Sequence, residues 1–334
     1  MKNDNTYKIT TFTKEVELMN KKIGILMLSL MLAFVSGCNI NKQQEKSLYE
    51  KLEKEMYESD DDDIDEIIKQ YNEMAKSDNE PYTLVKFIDE NIKNVTEKEA
   101  VIMVLILEEV QKEYMPRYAE ELFADENQSE LLNISAGEQF FDESKIEEIK
   151  NADLKKLVTK IIDGKFKLVN VGGAFYPAID YEGLKSYSGY LTDEIKDYFE
   201  IKSHSYSVPK VIDGEMTVSY DELEERLVEI EKYVSKYPNG VKLQDALRCY
   251  GECLKLYLEG SINSPIYDVE TGKIKEEVMS SYIRLSSTKN PITSSTISKY
   301  IEIIQKNQNT IDENVLSHVP EIYSSAIAAL ENIK

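Results

Sequence analysis

Few residues in this chain are of a type that does chemistry. There are three cysteines and two histidines in 334 residues, and no tryptophan. Cys38 follows the small residues Ser36 and Gly37 at the end of an apolar stretch. Cys249 and Cys253 stand four apart on a predicted helix. That spacing puts their Cβ atoms about 5–6 Å apart, too far for easy disulfide geometry. They read as two small apolar residues, one or both buried, because a metal or redox pair lacks further ligands nearby. His204 lies in Ser203-His204-Ser205-Tyr206, beside no nucleophile motif, and His318 falls inside the last predicted helix. Each reads as a surface or satisfied histidine. No G-x-S-x-G, H-E-x-x-H or P-loop is present. Gly172-Gly173 alone is not a nucleotide fingerprint. Asp268-Val269-Glu270-Thr271-Gly272 lacks the spacing of a calcium loop and reads as a β-turn. Paired carboxylates for glycoside hydrolysis stay open, since 62 acids offer many pairs and nothing singles one out. No cofactor or metal site emerges, and the balance leans away from an enzyme.

The most aromatic part of the chain holds Tyr176, Tyr181, Tyr187, Tyr190 and Tyr198. Tyr pairs a flat apolar body with a polar tip. A face of Tyr176, Tyr181 and Tyr190 could therefore bind a glycan or a peptide. The competing reading has these rings packing a hairpin against helices, with their hydroxyls at the rim. The lack of Trp weakens the glycan version.

Lys21-Lys22 is followed by the apolar run Ile23 to Phe34, then by Val35-Ser36-Gly37-Cys38. A positive start and an apolar run of twelve residues have the proportions of an export signal, and the run is too short to span a bilayer as a helix. Charge, length, small residues and Cys fall in the order of a lipobox, so the segment resembles the signal of bacterial lipoproteins. That resemblance implies cleavage after Gly37, diacylglyceryl transfer to Cys38 and attachment to the extracytoplasmic face of the cell membrane. Two acyl chains anchor stably where one is marginal. Asp4, Glu15 and Glu17 are unlike a basic leader, which makes Met19 an alternative start. The bias to Lys, Ile, Asn and Glu resembles Gram-positive lipoproteins of clostridial or bacillar type.

The formal charge is −22, and it becomes −24 once residues 1–37, with five Lys and three acids, are removed. Nucleic acid is excluded as a partner, because phosphate binding needs clustered Lys and Arg. The predicted order is a signal over 1–37, a lipidated Cys and polar tether over 38–60, and a helical region over 61–163. A β-hairpin plus a helical region then fills 164–334. The acidic run over 60–63 suits a helix start, followed by Ile64, Ile67, Ile68 and Tyr71 at helical spacing. Thr96…Glu99 and Ser219…Glu222 are capping boxes. Pro116 should kink or end the apolar helix that begins at Ala100. A further helix is predicted over 144–162. Phe166 to Tyr176, around Gly172-Gly173, reads as a short hairpin. Beyond Ser219 the patterning is helical, with a stop at Gly260 and a last helix over 312–333.

Lys236-Tyr237-Pro238-Asn239-Gly240, Asp245-Ala246-Leu247, Gly251 and Gly260 resemble the turn and following helix of a tetratricopeptide-like repeat. No second copy follows at the repeat period, so the likeness implies helical-hairpin packing rather than an array. The expected fold is mainly α, a helical-hairpin or bundle body with a small β-hairpin near residues 165–180. The expected function is that of a lipid-anchored, non-catalytic binding or assembly protein that meets an envelope protein. A solute-binding lipoprotein of a transporter and, further off, an envelope hydrolase are the alternatives.

Overall fold

The computed structural model describes residues 66–206 and 209–333. The signal over 1–37 with Met19, Val35, Ser36 and Gly37, the lipidation site Cys38, the tether and the acidic run over 60–63 lie outside them. The described residues are mainly helical, with three two-stranded antiparallel ladders. This is the predicted fold class.

Helix α1 spans Glu66–Lys76, α2 Pro81–Asn91 and α3 Glu97–Leu122. In α3 the predicted capping box is formed: the Glu99 amide donates to the Thr96 hydroxyl, and the Thr96 amide donates back to the Glu99 carboxylate at 2.8 Å. Every residue from Ala100 to Leu107 is buried. A helix apolar on all sides needs neighbours on all sides, and α1, α2, the later helix α5 and strand β2 pack around it. The sequence left open whether Pro116 kinks or ends this helix; α3 runs on through it to Leu122. Tyr118, Ala119 and Leu122, all buried beyond the proline, hold the last turns in place.

Helix α4 is Asn127–Ser135 and α5 is Ala152–Asp163. The helix predicted over 144–162 is in fact divided into a 3-10 turn, Glu143–Glu148, and α5. Asn151 makes the division, because its side chain accepts from the amides of Asp153 and Leu154 and so starts α5 afresh. Strands β1 (Phe166–Val171) and β2 (Ala174–Ile179) pair in register, Val171 opposite Ala174. Gly172 and Gly173 both have positive φ, which a two-residue turn of the strand-compatible hand requires. Neither edge is left bare. Gln128 grips β2, accepting from the Phe175 amide at 2.7 Å and donating to its carbonyl at 2.9 Å. Residues 139–141 lie along β1.

Then come α6 (Tyr181–Leu184), a 3-10 turn (Lys185–Tyr190), α7 (Asp193–Tyr206), β3 (Val211–Ile212) and β4 (Glu215–Met216). Position 163 lies within one compact unit, Asp61–Lys334. Across it, Gln111 on α3 donates to the carbonyls of Gly164 and Lys165.

Helices α8 (Tyr220–Lys236) and α9 (Leu243–Glu259) form a helical hairpin, started by the second capping box at Ser219 and Glu222. After β5 (Gly260–Ser261) and β6 (Ser264–Pro265), α10 (Glu276–Ser286) and α11 (Pro291–Lys306) form another. The last predicted helix is two: α12 (Glu313–Leu316) and α13 (Val319–Glu331), with Pro320 in the first turn of α13. Proline suits that position, which needs no N–H, and it restarts the helix after His318. His318 is thus the N-cap of α13 rather than a residue inside a helix.

Gly260 stops α9 as predicted, at φ 74° and ψ −154°, a region that essentially only glycine occupies. A Cβ there would also clash with the Ser264 carbonyl oxygen and crowd the backbone at Pro265 and Ile266. We expect Gly260→Ala to lose at least about 2 kcal/mol. Gly137→Ala, also at positive φ but with nothing within 4 Å, should lose about 1 kcal/mol. Urea midpoints of the two variants check this; equal midpoints would contradict it.

Candidate functional site

The chemistry-bearing residues converge in the interior, around Glu108. This residue stands at the end of the apolar run of α3, one helical turn beyond Val104, so it enters the core with its neighbours. It has no exposed area. Its Oε2 accepts from the Lys242 ammonium at 2.5 Å. Its Oε1 accepts from the hydroxyls of Tyr181 at 2.6 Å and Tyr198 at 2.8 Å. Lys242 precedes α9, Tyr181 opens α6 and Tyr198 sits on α7, so four elements meet on one carboxylate.

Charges continue outward from this centre. Lys112, one turn along α3, approaches Glu108 at 3.8 Å and pairs with Glu109 at 2.7 Å. Lys242 also reaches Asp245 at 3.3 Å, and Asp245 holds Arg248 at 2.5 Å. Lys202, buried on α7, lies over the rings of Tyr181 and Tyr198 at 4.9 and 5.7 Å from their centroids. Lys242 lies 5.3 Å from the Tyr198 centroid on the same principle, cation against ring face. The start of α9 is placed by Glu194 of α7, whose Oε1 accepts from the Lys242 amide and from the Tyr233 hydroxyl, both at 3.2 Å.

Burial by itself would push the Glu108 carboxyl up; the ammonium groups of Lys112 and Lys242 outweigh it and hold the group well below the usual carboxylate range. Asp245 is held down in the same way, against burial, by Lys112, Lys242, Lys202 and Arg248. Burial opposes the charge on Lys242 too, and Glu108 reverses the sign, so this lysine is raised. Burial prevails at Lys202 and lowers it. The centre is therefore ionised and internally matched. Both Glu108 oxygens are taken by donors and neither is exposed, so the carboxylate orients its neighbours.

Of the residues singled out from sequence, Tyr181 belongs to this centre and is buried. Tyr176 is buried elsewhere, its ring centroid 5.1 Å from that of Phe123. Tyr190 is 41% exposed. The two buried rings offer little area to a ligand, because the hairpin needs them for packing. Cys249 and Cys253 are both fully buried and outside any disulfide, and burial pushes the Cys253 thiol up to about 11. His204 has its Nδ1 3.2 Å from Glu229. His318 lines a shallow cavity with Ile303, Lys306, Asn307 and Asn314. The Asp268 carboxylate closes its turn by accepting from the Thr271 amide and hydroxyl, both at 2.8 Å. Among the described residues, no group of three or more His, Cys, Asp or Glu is placed to hold a metal ion.

Glu108, Lys242 and Lys202 were not singled out from sequence, and Asp245 was named only within the repeat-like Asp245-Ala246-Leu247. The available signal was an acid continuing the apolar stripe of α3 and a lysine where α9 has no side-chain cap. Compared with models of protein families, with curated proteins and with solved structures, the chain matches none.

Removing one partner of a buried pair strands the other charge, at a cost of about 3–5 kcal/mol. We expect Lys242→Met to lose about that much in denaturant unfolding, and Glu108→Gln on the Lys242→Met background to recover part of it. Strictly additive losses would contradict a coupled pair. The pH dependence has a definite sign. Glu108 is depressed below its ordinary value near 4.5, so its contribution is complete above that pH and fades as pH falls through the folded-state value. Stability should drop below pH 4.5 in the wild type, and less steeply in Glu108→Gln.

Proposed function

We propose that this chain is a bacterial lipoprotein held on the outer face of the cell membrane by a diacylglyceryl group on Cys38. Its helical body is a non-catalytic binding or assembly module that meets an envelope protein. The observation that carries the anchor is the order Lys21-Lys22, Ile23 to Phe34, Val35-Ser36-Gly37-Cys38. Twelve residues make about 18 Å of helix, against a hydrocarbon core of about 30 Å, which suits a cleaved signal better than a span. No helix among the described residues is long and apolar enough to cross a membrane.

The reading of the body rests on its helical hairpins, α8–α9 and α10–α11, with α13 packed against α9 and α11. The turn that joins α8 to α9 carries the Tyr237-Pro238-Asn239-Gly240 sequence that resembles a tetratricopeptide-like unit, and such hairpins present ridged surfaces to other proteins. A solute-binding lipoprotein would need two α/β lobes, which a fold of helices and two-stranded ladders does not supply. A hydrolase would need converging carboxylates open to solvent, and Glu108 and Asp245 are turned on lysines.

Cys38→Ala should abolish incorporation of a labelled lipid precursor and move the protein from the membrane to the soluble fraction. Undiminished labelling of the variant would overturn the anchor. Cross-linking on intact cells should return the same envelope protein in repeated captures. Repeated recovery of no protein would overturn the binding module while leaving the anchor standing.

A further inference from the structure

The seam between α8 and α9 contains a buried cation that the fold leaves unanswered. Arg226, in the second turn of α8, is 8% exposed, and its Nη1 is buried with no hydrogen-bond partner. Several other buried or half-buried cations have carboxylates, Lys242 with Glu108 and Asp245, Arg248 with Asp245, and Lys210 with Glu252 at 2.8 Å, and Lys202 lies over two tyrosine rings. The nearby acids are already engaged. Glu222, one turn back on α8 and within the field of Arg226, has its carboxylate on the Ser219 amide and hydroxyl at 2.7 and 2.9 Å. Glu252 is held by Lys210.

A guanidinium cannot discharge by losing its proton, and burying it without an acceptor costs several kcal/mol. Two further observations fall on the same seam. The positive charge of Arg226 acts on the buried thiol of Cys253, which places it against α9. The Tyr220 hydroxyl, about 9 Å back along the helix axis, is also buried without a partner, its ring 5.9 Å from that of Tyr257 on α9. Arginine only donates, so the partner that suits its free Nη1 is an acceptor, and a negative one.

We propose that the α8–α9 seam at Arg226 binds a small oxyanion, a carboxylate or phosphate group, with Arg226 as its principal donor. The planar guanidinium fork matches two oxygens of either group. The proposal goes beyond the anchor and the partner and stands whether or not Cys38 carries lipid.

The test is thermal unfolding of the full-length protein in chloride buffer, titrated at constant ionic strength with sodium phosphate and, separately, with sodium acetate. At least one anion should raise Tm saturably, by about 3 °C or more at ten times its Kd. The rise should vanish in Arg226→Met and Arg226→Gln and persist in Lys299→Gln, a change on the exposed face of α11. In chloride alone, Arg226→Met should unfold at or above the wild-type temperature, because it removes an unanswered charge. No specific rise in the wild type would overturn the proposal even if a variant failed to fold. An equal rise in Arg226→Gln would overturn it as well, since the anion would then sit elsewhere.

Discussion

A carboxylate and an ammonium, both without exposed area and 134 residues apart in sequence, meet at 2.5 Å inside this protein. Neither could be buried alone. The Glu108 charge draws in Lys242, and with it the start of α9. It draws in the hydroxyls of Tyr181 and Tyr198, and with them α6 and α7. The aromatic faces of those two tyrosines then stabilise a second buried cation, Lys202. The helices around α3 and the helical hairpin α8–α9 are joined through a centre that tolerates few alternatives, since a shift of either side would leave a charge in the core without its complement. Apolar contacts give the fold most of its cohesion; this centre restricts which arrangement they settle into.

The centre also bears on how an acidic chain uses its cations. With 40 Lys and Arg against 62 Asp and Glu, acids are plentiful at the surface and the interior is where cations must be matched. Lys242, Lys210 and Arg248 are matched by specific carboxylates. Lys202 is answered by tyrosine ring faces instead, and Arg226, on α8, keeps one buried nitrogen without a hydrogen-bond partner. The proposed anchor and seam site rest on different residues from those that hold the body together.

What was legible in the sequence was set by chemistry within a few residues. Thr96 with Glu99 and Ser219 with Glu222 start helices because a side chain and an amide three positions apart satisfy each other. Gly172-Gly173 turns a hairpin because only such residues adopt positive φ in succession without cost, and Gly260 ends α9 for a related reason. Where distant packing decides, the sequence left the outcome open or misled. Burial of Tyr118 and Leu122 carries α3 past Pro116, and Asn151 divides a stretch whose apolar spacing runs straight through it. For Tyr181 a ligand face and packing against helices both stayed open, because the partner of its hydroxyl is 73 positions away on α3. The Glu108 centre itself was invisible for the same reason: an acid in an apolar helix and a lysine in a turn mean nothing until the fold brings them together.

If the Glu108 centre makes the helices around α3 and the α8–α9 hairpin one cooperative body, their backbone amides must open together. Native-state hydrogen exchange, read at amides of Ala100–Leu107 in α3 and of Ala246–Leu254 in α9, measures this most directly. The slowest amides of both helices should share one opening free energy, equal to that of global unfolding, and α9 should fall below α3 when Lys242 is replaced by Met. Exchange of α9 through a separate, lower-energy opening in the unaltered protein would contradict the account.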